Sequence, residues 1–245
     1  MSPKVKKMIH IAIITIIIVA IAFTALILIL RYNEEGETNM PFEVSKITII
    51  STTDAEDVED EENIWNKIIN QNNDIYIDIK KNDDYSKTQI LEKVILNNFQ
   101  ITTKPEKGNI TIYMPSTSEV ATFENKDEYE TSEIVFTGDQ STDIQNLQIS
   151  NQGGRVAFRC ANNNLGSYIS NSKDDLDYSN LLNLIGISEQ ELQTTFSFDI
   201  EITLSNNIAF KSTIELAVPI DGIVENGTSS TEITDLDIVF KRIEN

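Results

Sequence analysis

Residues 195–218 read TFSFDIEITLSNNIAFKSTIELAV and carry the clearest structural signal in the chain. On both sides of residues 205–207 (Ser-Asn-Asn), apolar residues alternate with polar ones, and this period of two predicts half-buried strands. A three-residue loop places Glu201 opposite Lys211 and puts the apolar side chains of both strands on one face. A two-residue loop would instead set Ile202 opposite Lys211. We therefore predict an antiparallel hairpin closed by residues 205–207.

Further segments of β-branched or alternating sequence are spread over the chain without a repeated strand–helix–strand order, as in antiparallel sheets. Residues 89–101 fit a helix or a strand, and we favour a strand because the neighbouring segments are strands. The other predicted strands are residues 42–51, 64–69, 75–80, 110–114, 133–137, 144–149, 155–161 and 236–240. The predicted fold class is mainly β, with one N-terminal transmembrane helix followed by an antiparallel β-sandwich-like domain with one or two short helices.

Polar, charged or turn-rich segments separate these strands and predict loops. They are residues 53–63, 70–74, 116–132, 161–173 and 221–230. Residues 178–185 predict a short helix closed by Gly186, and Ser188 with Glu191 forms a capping box for a second helical turn.

A second hairpin is predicted around Gly153, where a turn at Gln152-Gly153 sets Ile149 opposite Val156. The following strand carries Cys160, the only cysteine, so the chain has no intrachain disulfide. We expect Cys160 to be a buried core thiol, because a reactive thiolate needs a nearby cation in an open site.

The N-terminal region contains an apolar segment, residues 8–30, without a charged residue. A spanning helix needs roughly 20 apolar residues, and this segment is long enough. Lys4, Lys6 and Lys7 precede it, which places the N-terminus in the cytoplasm and the rest of the chain outside. We predict a single-pass, uncleaved signal anchor in the cell membrane. A cleaved signal peptide and a buried soluble helix are the alternatives.

This segment also sets the domain organisation. Residues 1–7 are a basic cytoplasmic tag, residues 8–30 the transmembrane anchor, and residues 31–41 a polar linker. Residues 42–245 form the extracytoplasmic β-rich domain, and a boundary between two lobes at residues 115–132 is compatible with the pattern.

The charge balance excludes one class of partner. The net charge is −20, and all 39 acidic residues follow the apolar segment. Such a domain is repelled by the phosphates of nucleic acids, so we expect no nucleic-acid partner.

The sequence lacks the residues that most catalytic and cofactor-binding sites require. The only histidine, His10, lies in the N-terminal segment, so the outer domain has no Ser-His-Asp or Cys-His site and no histidine zinc ligand. No Gly-rich phosphate loop is present. We predict no metal, no cofactor and no enzyme activity. Carboxylates are abundant, which leaves a carboxylate-dependent glycoside hydrolase as a less favoured alternative.

Aromatic residues supply the candidate binding surface. Tyr76 and Tyr113 fall on the face opposite the isoleucines of their strands, and with Trp65 they are candidates for an exposed surface. We predict a membrane-anchored extracytoplasmic binding or scaffold protein that acts through its β-sandwich surface, with another envelope protein as partner. A glycan- or cell-wall-binding module is the alternative.

Overall fold

Two antiparallel sheets pack face to face in the computed structural model, which describes residues 3–35, 40–58, 65–85, 87–117, 121–138, 147–170 and 176–243. The first sheet consists, in spatial order, of β10 (Thr228–Ile233), β1 (Phe42–Val58), β2 (Trp65–Lys81), β7 (Gly153–Ser170) and β4 (Asn109–Tyr113), with β6 (Ile149–Ser150) paired to β7. The second sheet consists of β11 (Lys241–Ile243), β9 (Ala209–Ala217), β8 (Thr195–Leu204), β3 (Leu91–Thr103) and β5 (Glu133–Thr137). The predicted mainly β, sandwich-like fold is confirmed.

The predicted hairpin of β8 and β9 has the expected register. Glu201 faces Lys211 and Ile202 faces Phe210. Asn207 adopts a φ of 63°, the left-handed conformation that asparagine tolerates better than most residues. The strand prediction for residues 89–101 is also confirmed, because β3 pairs with β8.

The main core lies between the two sheets and is rich in phenylalanine. Phe158 of β7 packs edge-on against Phe196 and Phe198 of β8, with ring centroids 5.9 and 5.0 Å apart. All three side chains are fully buried. Burying each one contributes roughly 1.5–3 kcal/mol relative to leaving it exposed, so this contact is a major link between the sheets.

The loops predicted at residues 53–63 and 70–74 are largely wrong. β1 continues to Val58, and β2 runs without a break through Asn73, which pairs with Ser51 on one side and Cys160 on the other. The Asn73 side chain accepts a hydrogen bond from Ser51 Oγ at 2.6 Å and donates one to the Cys160 carbonyl at 2.8 Å. These bonds satisfy a polar side chain inside the sheet, which residue propensity alone does not predict. Residues 59–63 lie outside the described residues.

The second predicted hairpin exists but its register is wrong. Its turn is Asn151-Gln152, and Ile149 pairs with Gly154 instead of Val156. Gly153 pairs with Lys80, and a Cβ atom there would lie 2.3 Å from the Ile79 carbonyl oxygen. Gly153 is therefore a strand residue, and it must be glycine because the two backbones approach so closely. β7 then continues to Ser170, through most of the loop predicted at residues 161–173, whose last three residues are not described.

The C-terminal part also differs from the prediction. Residues 234–240 form no strand, and the last strand is β11, which begins at Lys241. The loop predicted at residues 221–230 contains the short helix α3 (Ile223–Asn226) and the start of β10. None of the side chains of β10 is buried, and its sequence, TSSTEI, accordingly shows no apolar alternation. A prediction based on periodicity therefore misses this strand.

Short helical elements lie at one end of the sandwich, and two of the three were predicted. They are α2 (Leu181–Leu184), a 3₁₀ turn (Glu189–Leu192) and α3. The predicted capping box is present, since the Glu191 carboxylate accepts hydrogen bonds from the Ser188 N–H and Oγ. These elements form a second apolar cluster with Ile69 and Leu165.

A polar layer lies beyond the phenylalanines on the inner face of the first sheet. Gln71 of β2 and Asn162 of β7 are register partners and are both fully buried. Gln71 Nε2 donates to Asn73 Oδ1 at 3.2 Å, and Asn162 Nδ2 donates to the Lys107 carbonyl at 3.0 Å. Gln71 Oε1 and Asn162 Oδ1 accept no hydrogen bond from the described residues. This layer is therefore a costly part of the interior.

The N-terminal helix α1 extends over Pro3–Glu35, and its backbone is continuous across the predicted anchor. Its described side chains are those of Lys4, Val5, His10 and residues 13–28. Among the described residues, no helix is both long and apolar enough to cross a membrane, so the transmembrane part of the predicted fold class is not confirmed.

Candidate functional site

The two tyrosine candidates do not form an open surface. Tyr76 is half-buried and packs against Phe123, with ring centroids 6.3 Å apart. Burial is the main reason that the pKa of its phenol is raised. Tyr113 is buried and its hydroxyl accepts a hydrogen bond from Asn163 Nδ2 at 3.0 Å, so the expected exposure of Tyr113 is wrong. The side chain of Trp65 lies outside the described residues.

Contacts of Arg159 explain why this face of the first sheet is covered. Arg159 of β7 donates two hydrogen bonds to Asp74 of β2, at 2.6 and 3.1 Å. It also donates to Asn125 Oδ1 at 3.0 Å, and its guanidinium carbon lies 5.2 Å from the centre of the Phe123 ring. Arg159 therefore holds the segment that carries Phe123 against the sheet, over the face where Tyr76 lies.

A separate opening lies along the edge of β9. It is a groove of about 690 Å³, within the size range of ligand sites. One wall is β9 itself, and the other is residues 234–240, which we call the crossing segment because it runs from β10 of the first sheet to β11 of the second. Ser212 Oγ donates a hydrogen bond to the Val239 carbonyl at 2.8 Å and ties the crossing segment to β9 at one end.

Every second residue of β9 points its backbone N–H and C=O groups toward the groove. Hydrogen bonds from the Leu204 N–H to the Ile208 carbonyl and from the Val218 N–H to the Thr194 carbonyl define the ladder with β8. In an antiparallel ladder such pairs alternate, so the N–H and C=O groups of Thr213, Glu215 and Ala217 point away from β8. β11 covers β9 only at residues 209–211. Within the part of the chain that the structure describes, no backbone hydrogen bond reaches these three residues from the groove.

The side chains divide the groove into an apolar and an acidic side. Ile214 and Leu216 point inward, where Leu236 and Ile238 of the crossing segment are half-buried against the same core. On the outer side, Glu215 is exposed, as are Asp235 and Asp237 of the crossing segment. The groove therefore combines free backbone groups, an apolar floor and a negatively charged rim.

Lys211 stands at one end of this edge and is already engaged. Its Nζ lies 2.9 Å from Asp199 Oδ2 and 3.5 Å from Glu201 Oε1. The hydrogen bond to Asp199 is the main reason that the pKa of Lys211 is raised. Burial by itself raises the pKa of Asp199, but hydrogen bonds from Thr213, Lys211 and Asn98 outweigh it, and the pKa of that carboxyl lies below its usual value. Because Lys211 is paired with Asp199 and Glu201, it does not neutralise the acidic rim of the groove.

Two further chemical features bear on the candidate reactions. Among the described residues, no group of three or more histidine, cysteine or carboxylate side chains is arranged to hold a metal ion. Cys160 is a buried free thiol, as predicted, and burial raises its pKa to about 12. A thiol in this state is inert at neutral pH.

Sequence reasoning missed the groove because it read residues 236–240 as a paired strand. The alternation of Leu236, Ile238 and Phe240 with Asp237 and Val239 is real, and Phe240 is buried. Periodicity reports which side chains turn inward, but it does not report whether the backbone is paired. The edge of β9 is visible only in the tertiary structure.

Comparison of the chain with protein-family models, with characterised proteins and with solved structures finds no match, so its function has to be inferred from the geometry of the groove.

Proposed function

We propose that this chain is a membrane-anchored, extracytoplasmic binding or scaffold protein that holds a partner in the groove beside β9. The observation that carries the proposal is the free edge of Thr213, Glu215 and Ala217. Natural proteins usually protect such edges, because unpaired backbone groups recruit other chains. An edge left open above an apolar groove is therefore a suitable binding surface.

The sequence of α1 supports the anchor. Residues 8–30 contain no charged residue, and the basic residues Lys4, Lys6 and Lys7 precede them. The side chains of residues 13–28 are exposed on all sides of the helix although nearly all of them are apolar. A helix that is apolar all round needs a non-aqueous environment, and the charge bias favours a position of the β-sandwich outside the cell.

The short connection between α1 and β1 favours a partner at the membrane. Residues 36–41 separate Glu35 from Phe42, and six extended residues reach roughly 20 Å. The anchor thus keeps the sandwich near the bilayer, where another envelope protein is the expected partner.

Site-specific photo-crosslinking in intact cells tests the binding surface. A benzoylphenylalanine at Val239, in the groove, is expected to give a discrete crosslinked product. The control position is Val135 on β5, the opposite edge of the second sheet, because the two side chains are 41% and 40% exposed. Equal products at both positions, or none at Val239, would refute the groove as the binding surface.

Fractionation of the same cells tests the anchor independently. The full chain is expected to stay in the membrane pellet after alkaline extraction and to be digested by protease added outside the cell. Release by alkaline extraction, or protection from the added protease, would contradict the proposed topology.

A further inference from the structure

We propose that the partner enters the groove as an additional β-strand on β9, and that its segment alternates apolar residues with polar ones and carries a lysine or arginine opposite Glu215. This inference rests on the proposed function, because it names the kind of chain that the groove accepts. Three features of β9 and the crossing segment carry it.

The free backbone groups define the mode of binding. Thr213, Glu215 and Ala217 each offer one N–H donor and one C=O acceptor on the groove side. An added strand pairs with all three of them only if it is extended, since alternate residues of a strand point their backbone groups to the same side. A segment of about five residues spans this edge, and addition of a strand to a sheet edge is an established mode of peptide recognition.

The inner wall determines every second side chain of that segment. Ile214 and Leu216 point toward the core from β9, and Leu236 and Ile238 face the same interior from the crossing segment. In a paired strand, residues that lie between the hydrogen-bonded positions turn to the face of Ile214 and Leu216. Apolar side chains at these positions gain burial, whereas charged ones would lose hydration.

The outer rim determines the remaining side chains. Glu215 is the central residue of the free edge and is exposed, and Asp235 and Asp237 lie across the groove. The nearby cation of Lys211 is held by Asp199 and Glu201 on β8. A lysine or arginine opposite Glu215 completes a cross-strand pair of opposite charge, while an acidic residue there is repelled.

The same glutamate disfavours pairing by the crossing segment of this chain. β11 pairs Lys241 with Lys211 and Ile243 with Ala209. Continuing that register along β9 would place Asp237 directly opposite Glu215, a like-charge pair that destabilises a ladder. The like-charge pair that this register would create therefore disfavours pairing of the crossing segment with β9.

A second copy of the chain is disfavoured for a related reason. The antiparallel self-pairing that uses all three free residues places Thr213 opposite Ala217 and Glu215 opposite its own counterpart. A register shifted toward Lys211 meets β11, which already occupies that part of the edge. The partner is therefore a different chain with a basic residue at the central position.

Short peptides of defined sequence test the inference on the full chain in detergent micelles. The probe is fluorescently labelled Thr-Val-Lys-Val-Thr, and its partner peptide has glutamate in place of lysine. The wild-type protein is expected to bind the lysine peptide about fivefold more tightly, as one cross-strand charge pair allows. In the double variant Glu215→Lys with Asp237→Lys, the residue opposite position 215 in the crossing segment still has the same charge, so the groove stays open. This variant is expected to bind the glutamate peptide more tightly than the lysine peptide.

Backbone methylation of the probe tests strand addition itself. Methyl groups on the amides of the lysine and the two threonines remove the donors that face β9 and are expected to weaken binding about tenfold or more. Methyl groups on the two valine amides, which face away from β9, are the matched control and are expected to have a much smaller effect. Equal effects of the two methylation patterns would refute strand addition.

The remaining outcomes separate this inference from the proposed function. If both peptides fail to bind although Val239 forms its crosslink in cells, the groove binds a partner but not a basic strand. If the lysine and glutamate peptides bind equally, the charge requirement is wrong. If sedimentation shows a concentration-dependent dimer whose Val239 positions crosslink to each other, the occupant is a second copy and the inference fails.

Discussion

Lys211 Nζ lies 2.9 Å from Asp199 Oδ2 on the outer face of the second sheet, and the Asp199 side chain is only 4% exposed. Because Asn98 and Thr213 also donate to this carboxylate, Asp199→Asn should lower the free energy of unfolding by about 1–3 kcal/mol at pH 7. Urea denaturation followed by the fluorescence of the single tryptophan measures this change. Glu225→Gln, on an exposed residue of α3, is the control and should change the stability by less than about 0.5 kcal/mol.

The same carboxylate predicts an acid dependence. The pKa of Asp199 is lowered in the folded state, so its stabilisation is present above the unfolded pKa of about 3.9 and is lost as the pH falls through the folded pKa. The difference in stability between the wild type and Asp199→Asn should therefore shrink below about pH 4. A difference that stays constant from pH 7 to pH 3 would contradict the lowered pKa.

The loop between β8 and β9 depends on the left-handed conformation of Asn207. Asn207→Gly should leave the free energy of unfolding within about 0.5 kcal/mol of the wild type, because glycine adopts a φ of 63° freely. Asn207→Val should cost about 1–3 kcal/mol, since a β-branched residue is strained there. Ser205→Val, at a position in the same loop without positive φ, is the control. Thermal denaturation of the three variants would reveal an error if both valine variants lose the same stability.

Reversal of the charge at Glu215 alone should close the groove. In Glu215→Lys, the crossing segment can pair with β9 because Asp237 then faces a cation. Hydrogen exchange should show slower exchange for the amides of Thr213, residue 215 and Ala217 than in the wild type. Unchanged exchange at these three amides would mean that charge repulsion is not what keeps the crossing segment unpaired.

The buried polar layer predicts stability losses of different size for substitutions at Asn73 and Gln71. Asn73→Leu should cost about 2–4 kcal/mol, because it removes the partner of Ser51 Oγ and of the Cys160 carbonyl. Gln71→Met removes a buried acceptor that has no partner among the described residues, and it should change the stability by about 1 kcal/mol or less. Equal losses for the two variants, measured by urea denaturation, would show that Gln71 Oε1 is satisfied in the protein.

Thiol modification provides a check on the core. Cys160 is fully buried and its pKa is raised to about 12, so a maleimide should label it only when the protein unfolds. Labelling at neutral pH should therefore follow the unfolding transition in urea. Rapid labelling without denaturant would contradict the burial.

Local patterns predicted the elements whose two faces differ in polarity. The hairpin of β8 and β9 alternates so regularly that the faces of Ile202 and Phe210 select both the loop length and the register. The capping box of Ser188 and Glu191 and the burial of Cys160 are likewise decided by neighbours in sequence. In each case the determining contact lies within a few residues along the chain or follows from a strict period of two.

The errors arose where distant strands satisfied a polar sequence. Asn73 looks like a turn residue, yet Ser51 and the Cys160 carbonyl provide its hydrogen bonds across two strand pairings. Gly153 suggested a turn position, but the close backbone of Ile79 requires a glycine within the strand. Propensity describes a residue in isolation, and these partners are supplied only when the sheet is assembled.

The sequence by itself determined that this chain is a mainly β protein with an apolar N-terminal segment and a strongly acidic remainder, because burial requires alternation and charge can be read directly from composition. The tertiary structure alone decided which edge stays open. Thr213, Glu215 and Ala217 are free because β11 pairs with only three residues of β9, and the repulsion expected between Glu215 and Asp237 depends on a register that no local pattern contains.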